Sequence, residues 1–225
     1  MHSNPDKPRS TTTARPLSLA EFVADGAIHV VGIGLGATAT VILAATLWNS
    51  GDAARQISVT IYAACLMAML ICSALYNMLA KDHKSGLLRR FDHAAIFLMI
   101  AGTYTPLAAI IIGGWTGGII LAIVWTGALT GAIVRLAHLS GLERLSVPIY
   151  LALGWVVVFA IEPLIERAST FGFFMILAGG LHYTVGTLFY AWKRLPFQNA
   201  IWHAFVLAAA ICHFGTVFHD VALPL

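Results

Sequence analysis

Seven long apolar runs, separated by short polar stretches, dominate the chain. A helix of about 20 apolar residues is long enough to cross the hydrocarbon core of a bilayer. Runs of this length must also satisfy their backbone hydrogen bonds internally, which a helix does. The pattern therefore predicts an all-α integral membrane protein with seven transmembrane helices. The predicted spans are 27–48, 58–80, 91–112, 117–136, 147–165, 171–192 and 201–222.

Glycine and proline positions mark several boundaries between these spans. The string Gly113-Gly114-Trp115-Thr116 predicts a tight turn between the third and fourth helices. Pro148 lies in the first turn of the fifth span, where a missing N–H removes no hydrogen bond. Pro106 lies inside the third span, where a proline predicts a kink.

The composition agrees with lipid as the main solvent. Of the 225 residues, 59% are hydrophobic and only 10% are charged, whereas a soluble domain carries about 25% charged residues. This composition excludes a soluble globular enzyme, a disordered chain and a nucleic-acid-binding protein. Residues 1–18 are polar, which predicts a disordered cytoplasmic tail rather than a signal peptide. The remaining residues, 19–225, form the predicted seven-helix membrane domain.

The basic residues fall mainly on one side of the predicted helices. Of the 13 Lys and Arg residues, all except Arg55 and Arg167 lie in segments that share a side with the N-terminus. Loops rich in Lys and Arg stay in the cytoplasm. The sequence therefore predicts a cytoplasmic N-terminus and a C-terminus outside.

Polar and ionisable residues gather near the cytoplasmic ends of four predicted helices. Such residues are costly at membrane depth and therefore suggest a function. Ser73 and Asn77 are four residues apart, as are Asn199 and His203, so each pair shares a helix face. We expect the group to converge on one cytoplasm-facing cavity. Its members are Glu21, Asp25, His29, Ser73, Tyr76, Asn77, Asp92, His93, Asn199 and His203.

Each of these residues also has an ordinary structural explanation. Asp92 follows two arginines and could cap the third helix, and Ser73 could bond back to its own helix. Asn77 and Asn199 could form hydrogen bonds between helices. His203 could be a packing residue with its hydrogen bonds satisfied.

Four strings of residues carry a resemblance to a known family. They are Ser73-Ala-Leu-Tyr76-Asn77, Phe91-Asp92-His93-Ala-Ala-Ile96, Gly179-Gly-Leu-His-Tyr-Thr-Val-Gly186 and Ala200-Ile-Trp202-His203. The first resembles a Ser-x-x-x-His element, and the others are similar to signatures of a third, sixth and seventh helix. Over residues 20–215 the chain resembles the hemolysin III family, the bacterial branch of the progestin and adipoQ receptor superfamily.

The resemblance implies a multi-pass protein of the bacterial inner membrane with a cytoplasm-facing zinc site. The site has three histidine ligands and a nearby serine and aspartate. Carried onto this chain, the catalytic residues are Ser73 and Asp92, and His203 is one zinc ligand. Asn77 and Asn199 occupy the other two ligand positions. Glu21, His29 and His93 complete the polar layer.

The two amides change the expected metal content. Zinc sites are built from Cys, His, Asp and Glu, and an amide oxygen suits harder cations. We therefore expect the protein, purified without added metal, to hold clearly less than one zinc per chain. Asn77→His together with Asn199→His should raise that figure.

Three functions stay open at this point. The first is a metal-dependent membrane hydrolase acting on a lipid amide, as members of the family have been proposed to be. The second is a non-catalytic sensor of a lipid or a partner. The third is a channel-like or cytolytic membrane protein, in keeping with the family label. Membrane lipids are the expected partners, and the sequence leaves the oligomeric state open.

Overall fold

A computed structural model describes residues 17–80, 86–138 and 145–223, and these residues fold into a helical bundle. Seven segments are long and apolar enough to cross a membrane, which confirms the prediction of an all-α protein with seven transmembrane helices. The predicted tail lies outside the described residues, apart from Leu17 and Ser18. The helices are α1 (Leu19–Leu47), α2 (Ala53–Leu79), α3 (Leu87–Pro106), α4 (Gly114–Leu136), α5 (Ser146–Gly154), α6 (Ile161–Arg167), α7 (Thr170–Ala191) and α8 (Gln198–Thr216).

Three of the spans change helix type along their length. After Pro106, where the sequence predicts a kink, α3 continues as a π-helix over Leu107–Ile112. The fifth span is α5 and α6 joined by a 3-10 segment, Trp155–Ala160. The last span continues beyond α8 as a π-helix over Val217–Ala222. Such segments free backbone groups from the regular hydrogen-bond pattern, so other residues must satisfy them.

Helix α1 begins eight residues earlier than the apolar pattern predicts, at Leu19 rather than residue 27. The cause is a capping box. The hydroxyl of Ser18 accepts from the backbone N–H of Glu21 at 3.2 Å, and the Glu21 carboxylate accepts from the N–H of Ser18 at 2.8 Å. Glu21, Asp25 and His29 are therefore helical residues on one buried face of α1.

The bundle closes into a ring because its first and last helices are neighbours. Helix α1 packs against α2 and α8, and α3 packs against both α2 and α4. The third span, Leu87–Ile112, is the most enclosed of the seven spans that the structure describes. Small residues permit these close approaches: Gly102 of α3 faces Cys65, and Gly131 of α4 faces the Phe97 ring.

Three contacts place the polar ends of the helices at one end of the bundle, which we call the N-terminal face. The Glu21 carboxylate accepts from the N–H of Phe197, just before α8, at 2.8 Å. Ser73 near the end of α2 contacts His203 of α8. Tyr76 of α2 lies edge-on to the ring of His93 in α3. The start of α1, the end of α2 and the starts of α3 and α8 therefore share this face.

Candidate functional site

A cavity of about 560 Å³ opens among the helices, and six of the seven spans contribute to its wall. Its deep part is mainly apolar, with Leu107, Val157, Leu164 and Ile176 among the lining residues. Towards the N-terminal face the lining becomes polar and charged. That polar lining includes Ser73, Asn77, Arg89, Asp92, His93, Lys193, Asn199 and His203.

The polar end of the cavity is built around an Asp–His–His cluster, formed by Asp25, His29 and His203. Nδ1 of His203 lies 2.6 Å from Oδ1 of Asp25, and Nε2 of His29 lies 3.7 Å from Oδ2 of the same carboxylate. The centroids of the two imidazole rings are 4.5 Å apart. Asp25 and His29 are buried, with 4% and 6% of their surface exposed. One ligand atom from each residue lies within 4.8 Å of the others.

Ser73 and Asn77 join this cluster from α2. The hydroxyl of Ser73 lies 3.5 Å from Nε2 of His203. The amide of Asn77 donates to the backbone carbonyl of Ser73 at 2.9 Å and to its hydroxyl at 3.4 Å. Because His203 contacts Asp25 through Nδ1, its two ring nitrogens connect α1 and α2. The amide of Asn77 is bonded within its own helix.

Asp92 and His93 line the cavity from α3. Oδ2 of Asp92 lies 3.2 Å from Nδ1 of His93, and that nitrogen lies 2.9 Å from the carbonyl oxygen of Arg89. The capping explanation of Asp92 is wrong, because α3 begins at Leu87 with Gly86 as its N-cap. Asp92 therefore lies in the second turn, buried at the cavity wall.

The remaining sequence-predicted residues have different surroundings. Glu21 has a structural role, because its carboxylate caps α1 and accepts a hydrogen bond from the backbone N–H of Phe197. Asn199 lies one turn before His203 and lines the cavity. The polar layer of the sequence thus divides into a tether at Glu21 and a set of side chains that share one cavity.

The ligand positions implied by the resemblance do not suit zinc in this chain. Asn77 and Asn199 offer amides, so His203 is the one imidazole among the three positions. The Asp–His–His cluster, in contrast, offers two imidazoles and a carboxylate. The sequence places Asp25 and His29 in the polar layer. Their spacing of four residues puts both on one face of α1, but it does not show which neighbouring helix that face contacts.

A second Ser, His and Asp group lies at the opposite end of the bundle, and sequence reasoning missed it. The hydroxyl of Ser169 donates to Asp220 Oδ1 at 2.6 Å. The same hydroxyl accepts from the backbone N–H of Gly172 at 2.9 Å, and this second bond caps the start of α7. Nδ1 of His219 lies 2.6 Å from the same Asp220 oxygen and 3.3 Å from the Ser169 hydroxyl. Since serine and aspartate meet the same ring nitrogen, no proton relay runs through the imidazole. The group ties α7 to the last span.

Comparison with known proteins places these features in a wider group. A family model described as Haemolysin-III related matches residues 20–214. The chain is 35% identical over 208 residues to "Hemolysin-3 homolog" of Bacillus subtilis, covering 92% of this chain and 98% of that protein. It is 36% identical over 200 residues to "Hemolysin-3" of Bacillus cereus, covering 88% and 91%. It is 26% identical over 175 residues to "Monocyte to macrophage differentiation factor" of Homo sapiens, covering 75% and 72%.

Proposed function

The chain belongs to the Haemolysin-III related family of membrane proteins, and from this premise we propose that it hydrolyses a lipid amide bound in the cavity. It is a multi-pass bacterial membrane protein, so the molecules that surround it are amphiphiles dissolved in the bilayer. The substrate class is a single-chain or double-chain lipid whose polar head carries an amide carbonyl.

The observation that carries the proposal is the division of the cavity into an apolar body and a polar end. A volume of about 560 Å³ lies within the range of roughly 300–1,000 Å³ found for small-molecule sites. Leu107, Val157 and Ile176 suit a hydrocarbon chain. The head of the same lipid would then lie at the N-terminal face, beside Ser73 and His203. Arg89 and Lys193 of the lining would attract an anionic head group.

The roles of the side chains follow from what they can donate and accept. Ser73 is proposed to donate a hydrogen bond to the carbonyl oxygen as negative charge develops there. Asp92 is proposed to accept a proton from the attacking water and return it to the leaving nitrogen. A divalent metal held by Asp25, His29 and His203 would supply Lewis-acid polarisation of the carbonyl and a more acidic bound water.

One observation favours a non-catalytic lipid sensor as the second candidate. The Ser73 hydroxyl accepts from the Asn77 amide at 3.4 Å and lies 3.5 Å from Nε2 of His203, so it is already engaged within the bundle before a substrate arrives. A channel is disfavoured, because the deep lining is mainly apolar and offers an ion few groups to replace its water. Binding of a lipid without cleavage is what separates the sensor from the hydrolase.

The test uses the full chain purified into lipid nanodiscs and a fluorescent ceramide as the probe, with released fatty acid measured over time. We expect Ser73→Ala to lower the rate by about 10²–10³-fold and Asp92→Asn by roughly 10²–10⁴-fold. Thr38→Ala is the matched control, because the exposed Thr38 hydroxyl donates to the carbonyl of Gly34 in its own helix, and the variant should keep the full rate.

The outcomes separate the candidates. Release of fatty acid that Ser73→Ala abolishes supports the hydrolase. Saturable ceramide binding with no release by the unmodified protein overturns the hydrolase in favour of a sensor. Release that is equal in Ser73→Ala, Asp92→Asn and the control overturns the proposed site.

A further inference from the structure

We propose that Asp25, His29 and His203 bind one zinc ion, so that the metal site of this chain is moved onto α1 from the ligand positions that the resemblance implies. The proposal deepens the function proposed above and rests on it only for what the metal would do to a substrate. Metal binding itself is measured without turnover, so either proposal can fail alone.

The distances between the ligand atoms suit a metal of this size. Zinc binds nitrogen and oxygen at about 2.0–2.2 Å in a tetrahedron, which puts neighbouring ligand atoms roughly 3.3–3.5 Å apart. The observed separations from Asp25 are 2.6 Å to His203 and 3.7 Å to His29. These two distances bracket the required value, and the ligand atoms of His29 and His203 lie within 4.8 Å of each other, so shifts of about 1.5 Å or less would bring all three pairs into range. Rotation of the three side chains can supply such shifts.

The His29 imidazole supplies an independent observation. Only 6% of His29 is exposed, and its Nε2 has no hydrogen-bond partner among the residues that the structure describes. Buried polar atoms are almost always bonded, and an exception requires an explanation such as an ion. At 3.7 Å from Oδ2 of Asp25 this nitrogen is too far away for a hydrogen bond, whereas a metal shared by the three residues would bind it.

The surroundings of His203 complete the arrangement. A histidine that binds a metal through one ring nitrogen usually donates the other N–H to a nearby acceptor, which fixes the ring. If Nδ1 of His203 binds the metal beside Asp25, Nε2–H points to the Ser73 hydroxyl at 3.5 Å. Ser73 is then also a positioning residue for the ligand, and the Asn77 amide in turn bonds to the Ser73 oxygen.

The experiment measures zinc per chain in full-length protein in detergent. The protein is stripped with a chelator, equilibrated with zinc, freed of excess metal and analysed by elemental mass spectrometry. The ligand variants are Asp25→Asn and His29→Gln. His182→Gln is the matched control, because that half-buried histidine bonds to the Ala178 carbonyl of its own helix at 2.7 Å. Asn199→Ala removes the amide at one of the zinc-ligand positions that the resemblance implies, and so tests whether that position takes part in binding.

We expect one zinc per chain in the unmodified protein, in His182→Gln and in Asn199→Ala. Asp25→Asn and His29→Gln should bind zinc more than about tenfold more weakly, and Ser73→Ala about 10–100-fold more weakly, as for outer-shell partners of a metal. Melting temperature is the second readout. Added zinc should raise the melting temperature of the unmodified protein and leave that of His29→Gln unchanged. Without metal, His29→Gln and the unmodified protein should melt at the same temperature.

Several results would overturn the proposal. One is an unmodified protein that holds clearly less than one zinc after equilibration, the figure expected from Asn77, Asn199 and His203 alone. Another is full zinc in His29→Gln, and a third is loss of zinc in Asn199→Ala with His29→Gln unaffected. Substituting cobalt adds a spectroscopic check, because its visible bands report a tetrahedral site and should change in His29→Gln.

Discussion

The hydroxyl of Tyr104 holds together the broken fifth span, and its removal gives a sharp test of the packing. It donates to the carbonyl of Gly154 at 2.7 Å and accepts from the N–H of Val157 at 2.8 Å. Both backbone groups lie where α5 gives way to the 3-10 segment. Tyr104→Phe keeps the ring, which is 5% exposed, and removes both hydrogen bonds.

The size of the effect follows from the two groups that are left without partners. An unsatisfied buried donor or acceptor costs about 1–3 kcal/mol, and lipid offers no replacement for it. Allowing for local relaxation, we expect Tyr104→Phe to lower the free energy of unfolding by about 2–4 kcal/mol. For a chain of this size, this corresponds to a fall in melting temperature of roughly 4–16 °C.

Tyr62→Phe is the matched control. Tyr62 is fully buried in α2, and its hydroxyl has no hydrogen-bond partner among the described residues. Removing that hydroxyl breaks no hydrogen bond and ends the cost of burying it, so stability should be unchanged or higher. Both variants are melted in the same detergent and followed by circular dichroism. If Tyr104→Phe melts within about 1 °C of the unmodified protein, or if both variants fall equally, the reasoning is refuted.

Two further predictions concern packing and orientation. Gly117→Ala should destabilise the protein by about 1–3 kcal/mol, because the new Cβ would clash with the backbone oxygen of Ala108. Gly118→Ala, with nothing within 4 Å of the new Cβ, should stabilise it by about 0.5–1 kcal/mol, and equal melting of the two would contradict this. Reporter fusions after residues 85 and 225 should report cytoplasm and periplasm respectively, since all but two of the 13 cations share a side with the N-terminus. Finding both in one compartment would contradict the orientation.

The helix count could be predicted from the sequence because it depends on local patterns. Apolar runs longer than a bilayer core define each span, and Pro148 lies in the first turn of α5 as predicted. The start of α1 was misplaced because a polar capping box lies outside any apolar run. The π-helices and the 3-10 segment also lay beyond prediction, since they depend on distant partners such as Tyr104.

The site could be predicted only in part, for a related reason. The sequence places Ser73 and His203 at a similar depth in the membrane, which makes both candidate site residues. In the structure the two side chains are in contact. The link between His203 and Asp25 joins residues 178 positions apart. Helical spacing shows that Asp25 and His29 share a face, but not that this face meets α8, which depends on how the ring of helices closes.

The link between Asp25 and His203 also has a consequence for biosynthesis. The carboxylate is translated 178 residues before its partner, which at bacterial rates of about 5–20 residues per second is a wait of roughly 10–35 s. During that interval α1 enters the bilayer with an acidic group that has no partner on α8, near the helix end where such a group costs less than at the centre. Until α8 docks, Asp25 has His29 of its own helix as its neighbour, and docking of α8 adds His203. We expect membrane quality control to recognise a chain truncated before α8, in which Asp25 keeps His29 and lacks His203.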